Sequence, residues 1–168
     1  MLNNNANFMA NIYDESVFKV LVEYEIARSQ RYDGALSLLR IGLALINPTQ
    51  IEIQNAPMAL AAVLNTRLRR ADIPARIENE FAVLLPNTDE TGARAACDRL
   101  LRVTLGTQNT PLGFSSRITI CIGMTNHRGI TLPAYDELMR EAAESLKSAR
   151  ARGPQTYHAH TDTVMRRK

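Results

Sequence analysis

The fold is decided by one stretch of the chain, Arg69-Arg70-Ala71-Asp72-Ile73-Pro74-Ala75-Arg76-Ile77-Glu78-Asn79-Glu80-Phe81-Ala82-Val83-Leu84-Leu85-Pro86. Its first residues complete a helical pattern, and two short apolar runs follow at residues 73–77 and 81–85. The polar residues Glu78 and Asn79 lie between these runs. Two apolar runs joined by a short polar turn predict an antiparallel β-hairpin.

Helical and strand patterns alternate on both sides of this hairpin. Apolar residues at helical spacing predict helices over residues 14–31, 57–71 and 133–152, and another helix that begins after the capping residues 87–90. Pro57 is expected in the first turn of its helix, where its missing N–H costs no hydrogen bond. Strands are predicted over residues 36–46, 116–124 and 156–158.

The order of these elements restricts the architecture. A hairpin excludes an all-parallel sheet, and the helices are too many for a simple meander. We therefore predict an α/β (α+β) fold, in which helices flank a mixed, mostly antiparallel sheet. No repeat or linker divides the chain, so one domain is expected over residues 14–160, with a flexible extension at 1–13 and a basic tail at 161–168.

Composition excludes several classes of function. The 168 residues contain no apolar run near the roughly 20 residues needed to cross a bilayer, and the Asn-rich start is unlike a signal peptide. A net charge of +3 is too small to indicate a nucleic-acid partner. Cys97 and Cys121 lie in apolar patterns and are expected to be buried free thiols. We therefore expect a cytoplasmic protein with no membrane or nucleic-acid partner.

Several segments, in the right order, resemble the GGDEF domains, a family of bacterial signalling domains that make cyclic di-GMP. In that family an Arg-x-x-Asp motif precedes the Gly-Gly-Asp/Glu-Glu-Phe hairpin. Here Arg69 and Asp72 match the motif, and Glu80 and Phe81 remain from the hairpin. The other matching segments are Glu25-Ile26-Ala27-Arg28, Leu36-Ser37-Leu38-Leu39, Ile118-Thr119-Ile120-Cys121-Ile122-Gly123 and residues 142–153. The resemblance implies the palm-like fold of nucleotide cyclases and polymerases.

The resemblance also implies that the catalytic positions are degenerate. Gly42 and Ala44 align with the family's Asp-x-Asp, whose first Asp binds Mg²⁺, and Asn79 aligns with the second metal carboxylate. Mg²⁺ requires hard anionic oxygen ligands, so we expect neither a metal or other cofactor nor diguanylate cyclase activity. The degenerate active-site positions are Gly42, Ala44, Ile77, Glu78, Asn79 and Glu80. In the last helix, Arg150 and Pro154 replace the family's phosphate-binding Lys and an Arg.

A second site of the family is better preserved. GGDEF proteins bind their own product at an inhibitory site made of the Arg-x-x-Asp residues and an Arg on the following helix. Arg69, Asp72 and Arg99 stand at these positions. Arginine can bind phosphate or the O6/N7 edge of guanine through two hydrogen bonds, and a carboxylate can accept from N1 and N2. The resemblance thus implies a cyclic di-GMP receptor, although Arg69 and Asp72 are also an ordinary helix-end pair.

One alternative function remains open. The same fold without a nucleotide could serve as a dimerisation domain or bind a signalling partner.

Outside the motif, His158 and His160 are expected to be a solvated pair rather than metal ligands, and His127 has no evident partner. Glu80 is expected at the surface of the hairpin.

Overall fold

The computed structural model describes residues 11–102 and 118–166. In chain order, its elements are α1 (Glu15–Tyr32), β1 (Ala35–Leu45), α2 (Gln50–Arg67), β2 (Ile73–Ile77), β3 (Glu80–Pro86), α3 (Glu90–Leu101), β4 (Ile118–Arg128), α4 (Tyr135–Arg152), β5 (Thr156–Ala159) and α5 (His160–Arg166). Residues 116 and 117, predicted as the start of a strand, lie outside the described residues.

Side-chain caps explain where the helices begin. The carboxylate of Asp14 accepts a hydrogen bond from the Val17 N–H at the start of α1. At the start of α2, Thr49 and Glu52 form a capping box in which each side chain accepts from the other's backbone N–H. The predicted position of Pro57 in the first turn is therefore wrong, because α2 begins at Gln50 and Pro57 lies inside it.

The described part of the chain forms a sheet of five strands in the order β2-β3-β1-β4-β5. The central strand β1 is antiparallel to both β3 and β4, and β2 is antiparallel to β3. The pair formed by β4 and β5 is parallel. The prediction of a mixed, mostly antiparallel sheet flanked by helices is confirmed, and the hairpin has the predicted strands.

Helices cover both faces of the sheet, and each face has its own apolar core. Alternate residues of a strand face opposite sides of the sheet, so Leu39 and Ile41 pack with α2 and α3, whereas Leu36 and Leu38 pack with α1 and α4. The helix α4 lies directly on the backbone of Gly123, where an added Cβ would collide with backbone atoms of α4. The sheet therefore positions α4 through a close backbone contact.

Both ends of the described chain belong to the domain. The Tyr13 N–H donates to the Pro74 carbonyl (3.0 Å), and the Arg76 N–H donates to the Tyr13 carbonyl (2.9 Å). The predicted flexible extension is thus attached to β2 at Tyr13. The predicted C-terminal tail begins as the helix α5, in which Asp162 forms an ion pair with Arg94 of α3 at 2.8 Å.

The cysteines and the helices bear on two expectations from the composition. Cys97 and Cys121 are free and buried, as predicted. None of the helices in residues 11–102 and 118–166 is long and apolar enough to cross a membrane.

Candidate functional site

Three charged side chains, those of Glu80, Arg40 and Arg150, meet beside Gly42, one of the positions singled out from the sequence. Glu80 lies at the start of β3, with its Oε2 2.5 Å from Arg40 Nη2 and its Oε1 3.0 Å from Arg150 Nη1. Arg40 belongs to β1 and Arg150 to the last turn of α4. Glu80 is thus a half-buried carboxylate at the edge of the hairpin, paired with two guanidinium groups rather than alone at the surface.

Gly42 leaves the space that Arg150 fills. A Cβ added at Gly42 would collide with Nη2 of Arg150, so the guanidinium lies against the bare backbone of β1. Ala44, the second degenerate position of β1, lies two residues further along the same strand and pairs with Thr119. A positively charged group therefore occupies the volume next to Gly42, which is an environment that disfavours a divalent cation.

The turn between β2 and β3 is as short as the sequence predicts. Ile77 pairs with Glu80, so Glu78 and Asn79 are the two residues of the turn. Glu78 has a φ of 53°, the left-handed conformation in which glycine has the lowest steric cost. Its carbonyl accepts a hydrogen bond from Arg76 Nε at 3.2 Å. The side chain of Ile77 is buried against the face covered by α1 and α4, which fixes the hairpin on the sheet.

The second candidate site lies at the opposite end of the hairpin, between α2 and β2. Asp72 closes the turn there by accepting a hydrogen bond from the Arg69 N–H at 2.8 Å, while the Asp72 N–H donates to the Arg69 carbonyl at 3.0 Å. Arg99 reaches this turn from α3, and its Nε donates to the Arg67 carbonyl at 2.9 Å. The structure thus brings together the three residues singled out from the sequence.

Electrostatics link these three side chains. Burial raises the pKa of Asp72, and the hydrogen bond from the Arg69 N–H and the charges of Arg69 and Arg99 offset this only in part, so the pKa lies above its ordinary value. Nη2 of Arg99 is buried and has no hydrogen-bond partner among the described residues. An unsatisfied buried guanidinium N–H is costly, and an acceptor on a ligand would remove that cost.

A pocket of about 360 Å³ opens beside this turn. Arg69 and Asp72 line it together with Arg70, which is one position off the motif. Tyr13, which is bridged to β2, also lines it. The pocket offers both hydrogen-bond donors and an acceptor, which is the combination that the edge of a guanine base requires.

A third polar cluster lies under α4. The buried carboxylate of Glu141 accepts from Thr125 Oγ1 at 2.5 Å and lies 2.6 Å from His127 Nε2 and 3.7 Å from His160 Nε2. Burial alone would raise the pKa of Glu141, but the hydrogen bonds from His127 and Thr125, with the charges of His127 and His160, lower it below its ordinary value. No group of three or more metal-ligating side chains suited to an ion is found in residues 11–102 and 118–166.

The structure corrects the sequence interpretation of the histidines. His158 is buried in β5 and His160 lies at the first position of α5, so they are not a solvated pair on one strand. His127 has a partner, Glu141, that sequence reasoning did not find. The alternation of β4 contained a signal, since Thr125 and His127 fall on the same face as Cys121 and Gly123, toward α4.

Comparison with known proteins identifies the family and the fold of the chain. The sequence profile of the family described as "Diguanylate cyclase, GGDEF domain" matches residues 58–156, more than half of the chain. No curated protein sequence matches the chain at a significant level.

Solved structures with the same fold share few identical residues with this chain. The FimX GGDEF domain from Pseudomonas aeruginosa is 20% identical, with a TM-score of 0.73 and coverage of 86% of this chain and 93% of that one. The GGDEF domain of DgcB from Caulobacter crescentus, in complex with c-di-GMP, is 15% identical, with a TM-score of 0.69 and coverage of 89% of both chains.

A third structure belongs to a longer protein. Diguanylate cyclase SiaD from Pseudomonas aeruginosa, in complex with its activator SiaC, is 21% identical, with a TM-score of 0.68. The match covers 87% of this chain, which spans 58% of the SiaD chain.

The described five-stranded mixed sheet, flanked by helices, has the fold of the solved GGDEF domains to which the chain is similar. The profile match is specific enough to name the family: the chain belongs to the GGDEF-domain family.

Proposed function

We propose that this chain is a catalytically inactive GGDEF domain that binds cyclic di-GMP through Arg69, Asp72 and Arg99. The observation that carries this proposal is the convergence of the three side chains from two different elements at one turn. Arg69 and Asp72 line the pocket there. Arg99 is not among its lining residues; it holds the turn through the Arg67 carbonyl and has one buried N–H without a partner among the described residues.

The recognition chemistry follows from the two kinds of side chain. Oδ2 of Asp72 accepts a hydrogen bond from the Arg69 N–H. The other oxygen, Oδ1, would accept hydrogen bonds from guanine N1 and N2. Arg69 is exposed and makes no ion pair with the described residues, so its guanidinium is available for a phosphate or for guanine O6 and N7. Cyclic di-GMP offers all of these groups in one molecule.

Loss of catalysis is the second half of the proposal. Gly42, Ala44 and Asn79 supply no carboxylate for Mg²⁺, and Glu80 is already paired with Arg40 and Arg150. We therefore propose that the domain uses no metal and no other cofactor. The free buried thiols fit our placement of the domain in the reducing cytoplasm of a bacterium, without a nucleic-acid or membrane partner.

One observation favours the alternative, an interaction or dimerisation domain. Val17, Val20 and Tyr24 lie three and four residues apart on α1, and all three are exposed, the latter two by 64% and 66%. Apolar side chains at this spacing form one stripe along a helix and are typical of a surface that contacts another protein. The two functions are compatible, since the stripe and the pocket involve different residues.

Calorimetric titration of the full chain with cyclic di-GMP tests the receptor proposal. We expect measurable binding, weakened at least tenfold (roughly 1.4 kcal/mol) by Arg69→Ala, because a charge-assisted pair is lost. Asp72→Ala should weaken binding to a similar degree. Arg152→Ala, at the exposed end of α4, is the matched control and should leave the affinity unchanged. No heat and no thermal shift at millimolar ligand would refute the receptor proposal in favour of the interaction domain.

A further inference from the structure

A second pocket adjoins the first, and the two share Arg69 as a wall. It has a volume of about 350 Å³ and lies at the end of the sheet where β1 begins and β4 ends. Besides Arg69, its polar side chains include Asp33, Asn87, Asp89 and Arg128. Because Arg69 lines both pockets, a ligand bound by this arginine could reach into each of them.

Within residues 11–102 and 118–166, three of these side chains lack a hydrogen-bonded or ion-paired partner. Arg69, Arg128 and Asp33 make no side-chain hydrogen bond or ion pair within the described part of the chain. Asp89 is different, because its Oδ1 caps α3 by accepting from the Gly92 N–H at 2.8 Å. Asp33 follows α1 with a φ of 51°, and its carboxylate lies beside Gly129. The second pocket therefore combines two uncommitted guanidinium forks with one uncommitted carboxylate.

This combination fits a guanine edge better than it fits a simple anion. Phosphate or sulfate would be attracted by Arg69 and Arg128 but repelled by Asp33 and Asp89. Guanine presents acceptors at O6 and N7 and donors at N1 and N2, so it can use an arginine and a carboxylate together. Adenine has a donor where guanine has O6 and offers no N1–H, so the same residues would not match it.

We propose that this second pocket binds the second guanine of the cyclic dinucleotide, with Arg128 as donor to its O6/N7 edge and Asp33 as acceptor from N1 and N2. The inference rests on the proposed function, since Arg69 must hold the ligand between the pockets. The ligand then contacts the ends of β1 and β4 as well as the turn before β2. Recognition is divided between two bases, and each base meets one arginine and one aspartate.

The test is calorimetry of the full chain with cyclic di-GMP and cyclic di-AMP. We expect Arg128→Ala to weaken cyclic di-GMP binding about tenfold, as for a lost hydrogen-bonded charge. Arg128→Lys keeps the charge without the fork and should recover only part of the affinity. Asp33→Asn should reduce the preference for cyclic di-GMP over cyclic di-AMP. Arg152→Ala is again the control.

The possible outcomes separate the two proposals. If Arg69→Ala weakens binding while Arg128→Ala and Asp33→Asn behave like Arg152→Ala, the second pocket is not used and the receptor function stands. If wild-type protein binds neither nucleotide, both proposals fail. If Arg128→Lys bound cyclic di-GMP with wild-type affinity, the positive charge alone would account for binding at this position. That result would overturn the assignment of Arg128 to a guanine edge.

Discussion

Arg150 occupies the volume that a side chain at Gly42 would need. The two residues come from α4 and β1, and the guanidinium of Arg150 lies over the glycine while it pairs with Glu80 at 3.0 Å. In our alignment, position 42 is where the family has its first metal carboxylate. Under the proposed alignment, the glycine and this arginine belong together, because an aspartate at position 42 would contact Arg150.

The first prediction concerns catalysis. Incubation of the full chain with GTP and Mg²⁺ or Mn²⁺ should yield no cyclic di-GMP, because Gly42 and Asn79 supply no carboxylate and Glu80 is already paired with two arginines. Gly42→Asp alone should not restore activity, since Arg150 would pair with the new carboxylate. Nucleotide products separated by chromatography give the result. Formation of product by wild type, abolished by Glu80→Gln, would show that the domain is an active enzyme.

The second prediction concerns the contact between α4 and the sheet. Gly123→Ala should lower the free energy of unfolding by about 2 kcal/mol or more, because the added Cβ meets the Ala142 carbonyl oxygen and the Leu146 nitrogen, and backbone cannot move aside as a side chain can. Denaturant unfolding followed by circular dichroism measures this. Gly34→Ala is the matched control, since its Cβ would make ordinary contacts of 3.4 Å. Equal stability of the two variants would contradict the close packing of α4.

The third prediction concerns the turn of the hairpin. Glu78→Gly should raise the free energy of unfolding by roughly 0.5–1 kcal/mol, because the left-handed conformation costs a non-glycine residue about 1–2 kcal/mol and glycine's extra freedom offsets part of the gain. Asn79→Gly should not stabilise the protein, since Asn79 does not have a positive φ. Neither variant should produce cyclic di-GMP. A gain of activity by either would mean that Gly42 is wrongly aligned with the metal ligand.

The fourth prediction concerns pH and Glu141. Its pKa lies below the ordinary value of 4.5, so near that pH the unfolded state binds more protons than the folded state, and stability rises with pH. The contribution is present above about pH 4.5 and is lost as pH falls through the lower, folded pKa. The melting temperature of wild type should therefore fall more steeply between about pH 5 and pH 3 than that of Glu141→Gln. Parallel curves would exclude Glu141 as the group responsible.

The fold could be predicted because its signals are local and repeated. The apolar runs on either side of Glu78 and Asn79 specify the hairpin, and the periodicities around it specify helices and strands. Pro57 was misplaced because the tendency of proline to occupy a first turn is weaker than the capping box that Thr49 and Glu52 form upstream. Single-residue preferences were thus less reliable than reciprocal side-chain pairs.

The candidate sites were predictable only in part. The Arg-x-x-Asp spacing located Arg69 and Asp72, since the two residues are neighbours on one turn. The pairing of Glu80 with Arg40 and Arg150 was not predictable, because these residues are far apart in sequence and meet only when α4 packs on the sheet. Arg40 gave a weak signal as a charged residue within an otherwise apolar strand. The partners of His127 and His160 depend on the same packing.

The bridge at Tyr13 has a consequence for the outer edge of the hairpin. β2 is the last strand on its side of the sheet, and the unpaired backbone groups of such a strand can add the strand of another molecule. Tyr13 forms hydrogen bonds with the Pro74 carbonyl and the Arg76 N–H, and Pro74 has no N–H that could donate to another strand. A protein shortened to begin at Glu15 would expose these two groups beside the apolar residues Ile73 and Ile77. Such a truncation would leave an edge strand that can pair with a strand of another molecule. We therefore expect the residues immediately before α1 to protect the domain against aggregation through this edge.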